Sequence, residues 1–154
     1  MIIRPADLEK DALAIMDGAR DFATRMSLRH LLPQDDAAFI DTVSRIVSLD
    51  GMEILVAEHE GRVVGGIGVL YIPYAWNSAI LIAEELFFWS GKANYGTARK
   101  LFAESMRRIK ERKAMPIFHK PTTSPPVVDR IYQSSGLIPT EMVYTWPSLQ
   151  PLSH

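Results

Sequence analysis

Glu84 and Glu85 lie in the most apolar stretch of the chain, Ala79 to Trp89, which reads as a strand rich in Ile, Leu and Phe. A carboxylate on such a strand must be paired, solvated or used, because burying it alone is costly. Neighbours in a strand face opposite sides, so only one of the two can point into a cleft on a given side. The residues leave open which one, and they leave open a plain charge at the strand rim. His119 closes a short strand, Met115 to His119, where a lone histidine reads first as structural. His30, His59 and His154 read as loop, strand and tail residues, and no metal-ligand spacing links the four. The chain has no cysteine, which excludes disulfides, thiolate metal sites and a cysteine nucleophile.

The elements that must position these groups follow from punctuation and period. Ile2-Ile3-Arg4 is a short strand stopped by Pro5. Asp7 is placed to cap a helix over about 8–26, in which Leu13, Met16, Phe22, Ala23 and Met26 recur at helical spacing. Asp35 or Asp36 caps a second helix with an apolar stripe of Phe39, Ile40, Val43, Ile46 and Val47. Met52 to His59 and Arg62 to Tyr71 are strands joined by a tight turn at Glu60-Gly61. Pro73 to Ser78 reads as a loop before the strand Ala79 to Trp89. Ser90 to Asn94 breaks that strand.

From Tyr95 the period becomes helical, with Ala98, Leu101, Phe102, Met106 and Ile109 on the inner face. Arg99, Lys100, Arg107, Arg108, Lys110, Arg112 and Lys113 cover the rest of that helix. They read as a solvated face interrupted by Glu104 and Glu111, or as a seat for an anionic partner. Val127 to Gln133 is a short helix ended by Gly136 as a left-handed cap. Glu141 to Trp146 alternates as a closing strand. The predicted order is β-α-α-β-β-β-α-β-α-β, in one domain over residues 1–147 with a loose tail over 148–154.

With 154 residues, 47% apolar and 23% charged, the chain can bury a core without staples. A formal net charge of −1 argues against general nucleic-acid binding. Met1 to Pro5 carries no apolar signal segment, and Ala79 to Trp89 is too short to span a bilayer, so a soluble, cytoplasmic protein without a membrane partner is expected.

The element order, in about this length, resembles the GNAT acetyltransferase fold, an α/β (α+β) arrangement with a mixed central sheet and helices on both faces. IIRPAD (Ile2 to Asp7) looks like that family's opening strand and helix cap. VAEHEGRVVGGIGV (Val56 to Val69) looks like its central hairpin. IAEELFFW (Ile82 to Trp89) looks like its fourth strand, with an acidic residue before the cofactor loop. RIYQSSGLIPTEMVYTW (Arg130 to Trp146) looks like its C-terminal helix and last strand, with Tyr132 four residues before Gly136.

That resemblance implies an acetyl-CoA-dependent N-acetyltransferase, with acetyl-CoA as cosubstrate and a small-molecule or peptide primary amine as acceptor. In the family the fourth and fifth strands splay, and the pantetheine arm pairs with the fourth like an added strand. The backbone of Leu86, Phe87, Phe88 and Trp89 would serve here. The diphosphate would rest on amides at the start of the next helix, which assigns Lys92, Asn94, Gly96, Thr97, Ala98 and Arg99.

The family pattern Arg/Gln-x-x-Gly-x-Gly/Ala is incomplete in SGKANYGTARKL (Ser90 to Leu101). Placing its first glycine at Ala98 puts Tyr95 and Lys100 at the flanking positions; placing it at Gly96 puts Ala93 and Ala98 there. Transfer to an amine needs a base and stabilisation of an oxyanion, and the departing thiolate takes a proton. Glu84 or Glu85 would be the base and Tyr132, matching the family tyrosine near the CoA sulfur, the acid. No metal is expected. Tyr71, Tyr74 and Trp76 flank a loop and either line an acceptor pocket or cover a core edge or an interface. A second resemblance, of the segment WSGKA…RKL to GNAT-like proteins of tailed bacteriophages, implies a non-catalytic module carried in a virion. The expected protein partner is a second copy in a homodimer, or a virion protein where the phage resemblance holds.

Overall fold

The computed structural model describes residues 1–26, 32, 35–91, 96–120, 124 and 126–140. Strand β1 (Ile2–Pro5) leads into helix α1 (Leu8–Arg25) and helix α2 (Asp36–Val47). Three antiparallel strands follow: β2 (Met52–His59), β3 (Arg62–Tyr74) and β4 (Asn77–Ser90). Helix α3 (Thr97–Glu111), strand β5 (Met115–Ile117) and helix α4 (Val127–Ser134) complete the described elements. They run in the predicted order; the expected closing strand, Glu141 to Trp146, and the tail lie outside the described residues.

The helix ends obey local rules. Asp7 caps α1 by accepting from Glu9 N–H at 3.1 Å, and Asp35, not Asp36, caps α2 by accepting from Ala38 N–H at 2.8 Å. Gly136, at φ 85°, ends α4 in a Schellman motif: Gly136 N–H reaches the Gln133 carbonyl and Leu137 N–H the Tyr132 carbonyl. Glu60 and Gly61 both adopt positive φ in the β2–β3 turn.

The sheet runs β1-β2-β3-β4-β5, with only β4 and β5 parallel. Both faces are covered. Ile15, Met16, Phe39 and Val43 from α1 and α2 pack on Ile54 and Val56. Leu101, Phe102, Met106 and Ile109 from α3 pack on Leu55, Ala57, Ile67, Val69 and Ala83. This explains the unbroken run Ile54 to Ala57: a strand buried on both faces cannot alternate.

Two expectations are corrected. Pro73 to Ser78 is not a loop, because β3 continues to Tyr74 and β4 begins at Asn77. β2 stops pairing at Leu70, so Pro73 sits where β3 has become an edge and a missing N–H costs no ladder bond. β5 ends at Ile117 rather than His119.

Asp11 is 2% exposed and ties β1 to α1. It accepts from Arg4 Nη1 at 2.6 Å, Arg4 Nη2 at 3.1 Å and Asp7 N–H at 2.8 Å, while Arg4 also holds Glu58 of β2. The Arg4 guanidinium holds the Asp11 carboxyl below the usual carboxylate range. A depressed native value stabilises the fold above the unfolded value and is lost as pH falls through the native one. Asp11→Asn is therefore expected to cost about 1–3 kcal/mol at neutral pH. It should also flatten the acid limb of stability, as read by thermal melts from neutral to acid pH.

Candidate active site

The pairing of β4 with β5 covers only Ile82 to Glu84, against Met115 to Ile117. Beyond Glu84, β4 runs six residues further with β3 as its only strand partner among the described residues. Alternate backbone groups of a strand point to opposite edges, so those of this stretch that turn away from β3 have no strand partner among the described residues. A small, solvent-open cleft occupies this splay. Glu85, Phe88, Trp89 and Ser90 of β4 form one wall, and Tyr132 and Val128 of α4 form another. Ala98 from the start of α3, Phe22 and Arg25 from the end of α1, His119 and Ser124 complete it.

A bulge decides which side chains enter. Val69 pairs with Glu85 but Gly68 pairs with Phe87, leaving Leu86 as an extra residue on β4. The insertion reverses the alternation. Glu85 and Phe88 face the α3 side, while Phe87 packs against the α1–α2 cluster and Trp89 lies against Gly18 of α1. Glycines on β3 make room for the rings: a Cβ on Gly68 would lie 2.5 Å from Phe87, and one on Gly66 would lie 2.9 Å from the Trp89 indole nitrogen.

Glu85 is the carboxylate that lines the cleft. It is 2% exposed, and its Oε1 has no hydrogen-bond partner among the described residues. Burial pushes its carboxyl up to about 8, against the smaller opposing pull of hydrogen bonds from the Tyr132 hydroxyl and the His119 backbone. The Tyr132 hydroxyl donates to Glu85 Oε2 at 3.3 Å and lies 3.5 Å from the His119 carbonyl. Burial, then the nearby Glu85 charge, raises the Tyr132 phenol well above its usual value, so it stays protonated. Its ring packs against those of Phe102 and Phe118, with centroids 5.2 and 5.5 Å away. An ion pair of 2.7 Å between Lys120 and Asp129 ties the segment after β5 to α4. Glu84 takes another course: its Oε1 lies 3.5 Å from His119 Nε2.

The start of α3 is suited to an anion. Gly96 holds φ 95°, and a Cβ there would meet nothing within 4 Å. Among the described residues no side chain caps the helix, and no acidic residue stands in its first turn. Ala98 reaches the cleft and Arg99 is exposed, but Thr97 is fully buried with its hydroxyl 3.5 Å from Met1 Sδ, so only its backbone can face a ligand. Lys92 and Asn94 lie outside the described residues, as does Tyr95.

The three arginines toward the end of the basic helix are committed within the fold. Arg107 pairs with Glu104 and Glu111, Arg108 with Glu53 and Glu104, and Arg112 stacks 4.3 Å over Tyr71. Tyr71 is core, while Tyr74 and Trp76 sit at the β3–β4 tip, roughly 30 Å from Glu85 at the rise of a strand. The tip is thus no part of the cleft. The place of Phe22 and Arg25 at the cleft escaped the sequence reading, because helical spacing marks a core face and says nothing of what a helix end will touch.

A mixed five-stranded sheet, splayed between its fourth and fifth strands and covered by helices on both faces, is the GNAT acetyltransferase fold. No family profile matches the sequence, and no curated protein does. Solved structures match over almost the whole chain. A transcriptional regulator from Bacillus halodurans shares 20% identity at a TM-score of 0.73, over 94% of this chain and 97% of its own. A ribosomal-protein-alanine N-acetyltransferase from Brucella melitensis shares 15% at 0.68, over 95% and 99%. An acetyltransferase from Clostridium acetobutylicum with acetyl-CoA shares 13% at 0.69, over 94% of each chain. Among the described residues no helix is long and apolar enough to cross a membrane, and no cluster of potential metal ligands occurs.

Proposed function

We propose that this chain is an acetyl-CoA-dependent N-acetyltransferase that passes an acetyl group directly to a primary amine of a small molecule or peptide. One observation carries the reading. A buried carboxyl with a raised pKa and a protonated tyrosine meet at the base of an open strand splay, beside an uncapped helix start. The free edge of β4 from Leu86 to Trp89 offers backbone partners to the amide groups of pantetheine. The amides of Thr97 to Arg99 offer donors to a diphosphate, and the open space over Gly96 lets it approach. Ala98, not Lys100, then stands at the last small position of the family pattern. A fold neighbour bound to acetyl-CoA supports the same cosubstrate.

In this reading the bound thioester supplies an acyl group with a good leaving sulfur. Glu85, ionised near its raised value, takes a proton from the attacking amine nitrogen. Tyr132 gives a proton to the departing sulfur. The Phe102 and Phe118 rings hold the tyrosine in place and exclude water.

Calorimetry with acetyl-CoA tests the binding half. Saturable heat is expected from the wild type. Gly96→Trp should remove most of it, by filling the open space and straining a left-handed backbone. No heat at millimolar acetyl-CoA would leave a non-catalytic binding module as the reading.

A further inference from the structure

Turning an alkylammonium into an amide releases two protons. One ends on the CoA sulfur as the C–S bond breaks and the C–N bond forms. The other must reach solvent. Glu85 is 2% exposed and the Tyr132 hydroxyl donates to it, so a proton taken by Glu85 passes to Tyr132 rather than straight to water. A group is needed that borders both the cleft and the solvent.

His119 meets that need. It lines the cleft, its side chain is 29% exposed, and its Nε2 lies 3.5 Å from Oε1 of Glu84, itself 37% exposed. The His119 carbonyl lies within reach of the Tyr132 hydroxyl, which fixes the residue against the Glu85–Tyr132 pair. A carboxylate behind an imidazole orients the ring. Among the described residues, Arg25 stands across the cleft and bonds Asp21, and Lys120 is held by Asp129.

We infer that His119, oriented by Glu84, takes the first proton from the acceptor's ammonium group and releases it to solvent, before Glu85 takes the second during attack. The Glu85 proton then restores the one Tyr132 gave to sulfur, so each turnover yields one amide, one CoA thiol and one proton in solvent. This rests on the acetyl-transfer reading, and the test separates the two.

Thiol release from acetyl-CoA is followed with two probe amines and corrected for the enzyme-free rate. Benzylamine arrives as an ammonium at neutral pH, whereas hydroxylamine arrives mostly unprotonated. His119→Asn should lower benzylamine transfer by about 100-fold and leave hydroxylamine transfer and acetyl-CoA affinity unchanged. Added imidazole should restore part of the loss, and Glu84→Gln should show the same selectivity with a smaller loss. His119→Gln repeats the test should the Asn variant fail to fold. Equal loss with both amines, no loss with either, or bound acetyl-CoA that reaches neither amine would overturn the role of His119. The transferase reading survives the first two results. A wild type that binds no acetyl-CoA removes both.

Discussion

Glu85→Gln is expected to lower acetyl transfer by about 100- to 10,000-fold, the usual contribution of a positioned acid or base. Gln keeps the shape and the bond to Tyr132 but cannot take a proton. Acetyl-CoA binding should be unchanged, because Glu85 contributes no charge to the helix end that would hold the diphosphate. In the wild type kcat/KM should rise with pH through about 8, as burial delays ionisation to that point, and the residual rate of the variant should lack that rise.

Stability should move the other way. Below the ordinary value of 4.5 both folded and unfolded chains hold the Glu85 proton. Between 4.5 and about 8 only the native state keeps it, so stability falls as pH rises and the full loss is reached above about 8. Glu85→Gln removes that loss, so its melting temperature should exceed the wild type's most at alkaline pH. A variant both slower and more stable there marks a group held at the expense of the fold. Equal activity in variant and wild type would remove Glu85 from the chemistry.

Gly18→Ala should be the most damaging single methyl group in α1. A Cβ at this position would lie 1.9 Å from Cε2 and Nε1 of Trp89. Because Cβ is fixed by the backbone, no rotamer relieves the overlap; either the indole leaves its slot or α1 lifts off the sheet. Overpacking of this kind costs about 1–3 kcal/mol, against a gain of about 1 kcal/mol in helix propensity. A net loss is expected, read as a lower urea midpoint with unchanged slope. Trp89→Phe shrinks the ring and should recover part of the loss, so a double-mutant cycle should show coupling between the two positions. Additive effects would mean that the contact carries no energy. Trp89 lines the cleft, so Gly18→Ala should also weaken acetyl-CoA binding, although Gly18 itself does not border the cleft.

Much of this molecule was legible in its sequence because the cues are local. Asp7 and Asp35 cap helices with their own side chains, Glu60-Gly61 turns a hairpin, and Gly136 stops α4, each through a few consecutive residues. Periodicity located the apolar faces of α2 and α3 as well. The loop expected at Pro73 to Ser78 was misread because proline is barred from a strand only where its missing N–H has a partner, and that depends on how far β2 extends.

The site depended on residues far apart in the chain. Alternation states that Glu84 and Glu85 diverge, but not which one the cleft receives. That was settled by the register of β4 on β3, which sets Glu85 opposite Val69, and by where β5 stops pairing, at Ile117; the extra residue at Leu86 then put Phe88 on the same side as Glu85. The raised Glu85 carboxyl is likewise no property of its own segment. Desolvation is imposed by neighbours that only folding brings together, with Tyr132, backed by Phe102 and Phe118, against a strand about 50 residues earlier in the chain. Local chemistry therefore determined the elements and their order, while strand ends and buried neighbours decided which side chain meets the cleft and in which protonation state.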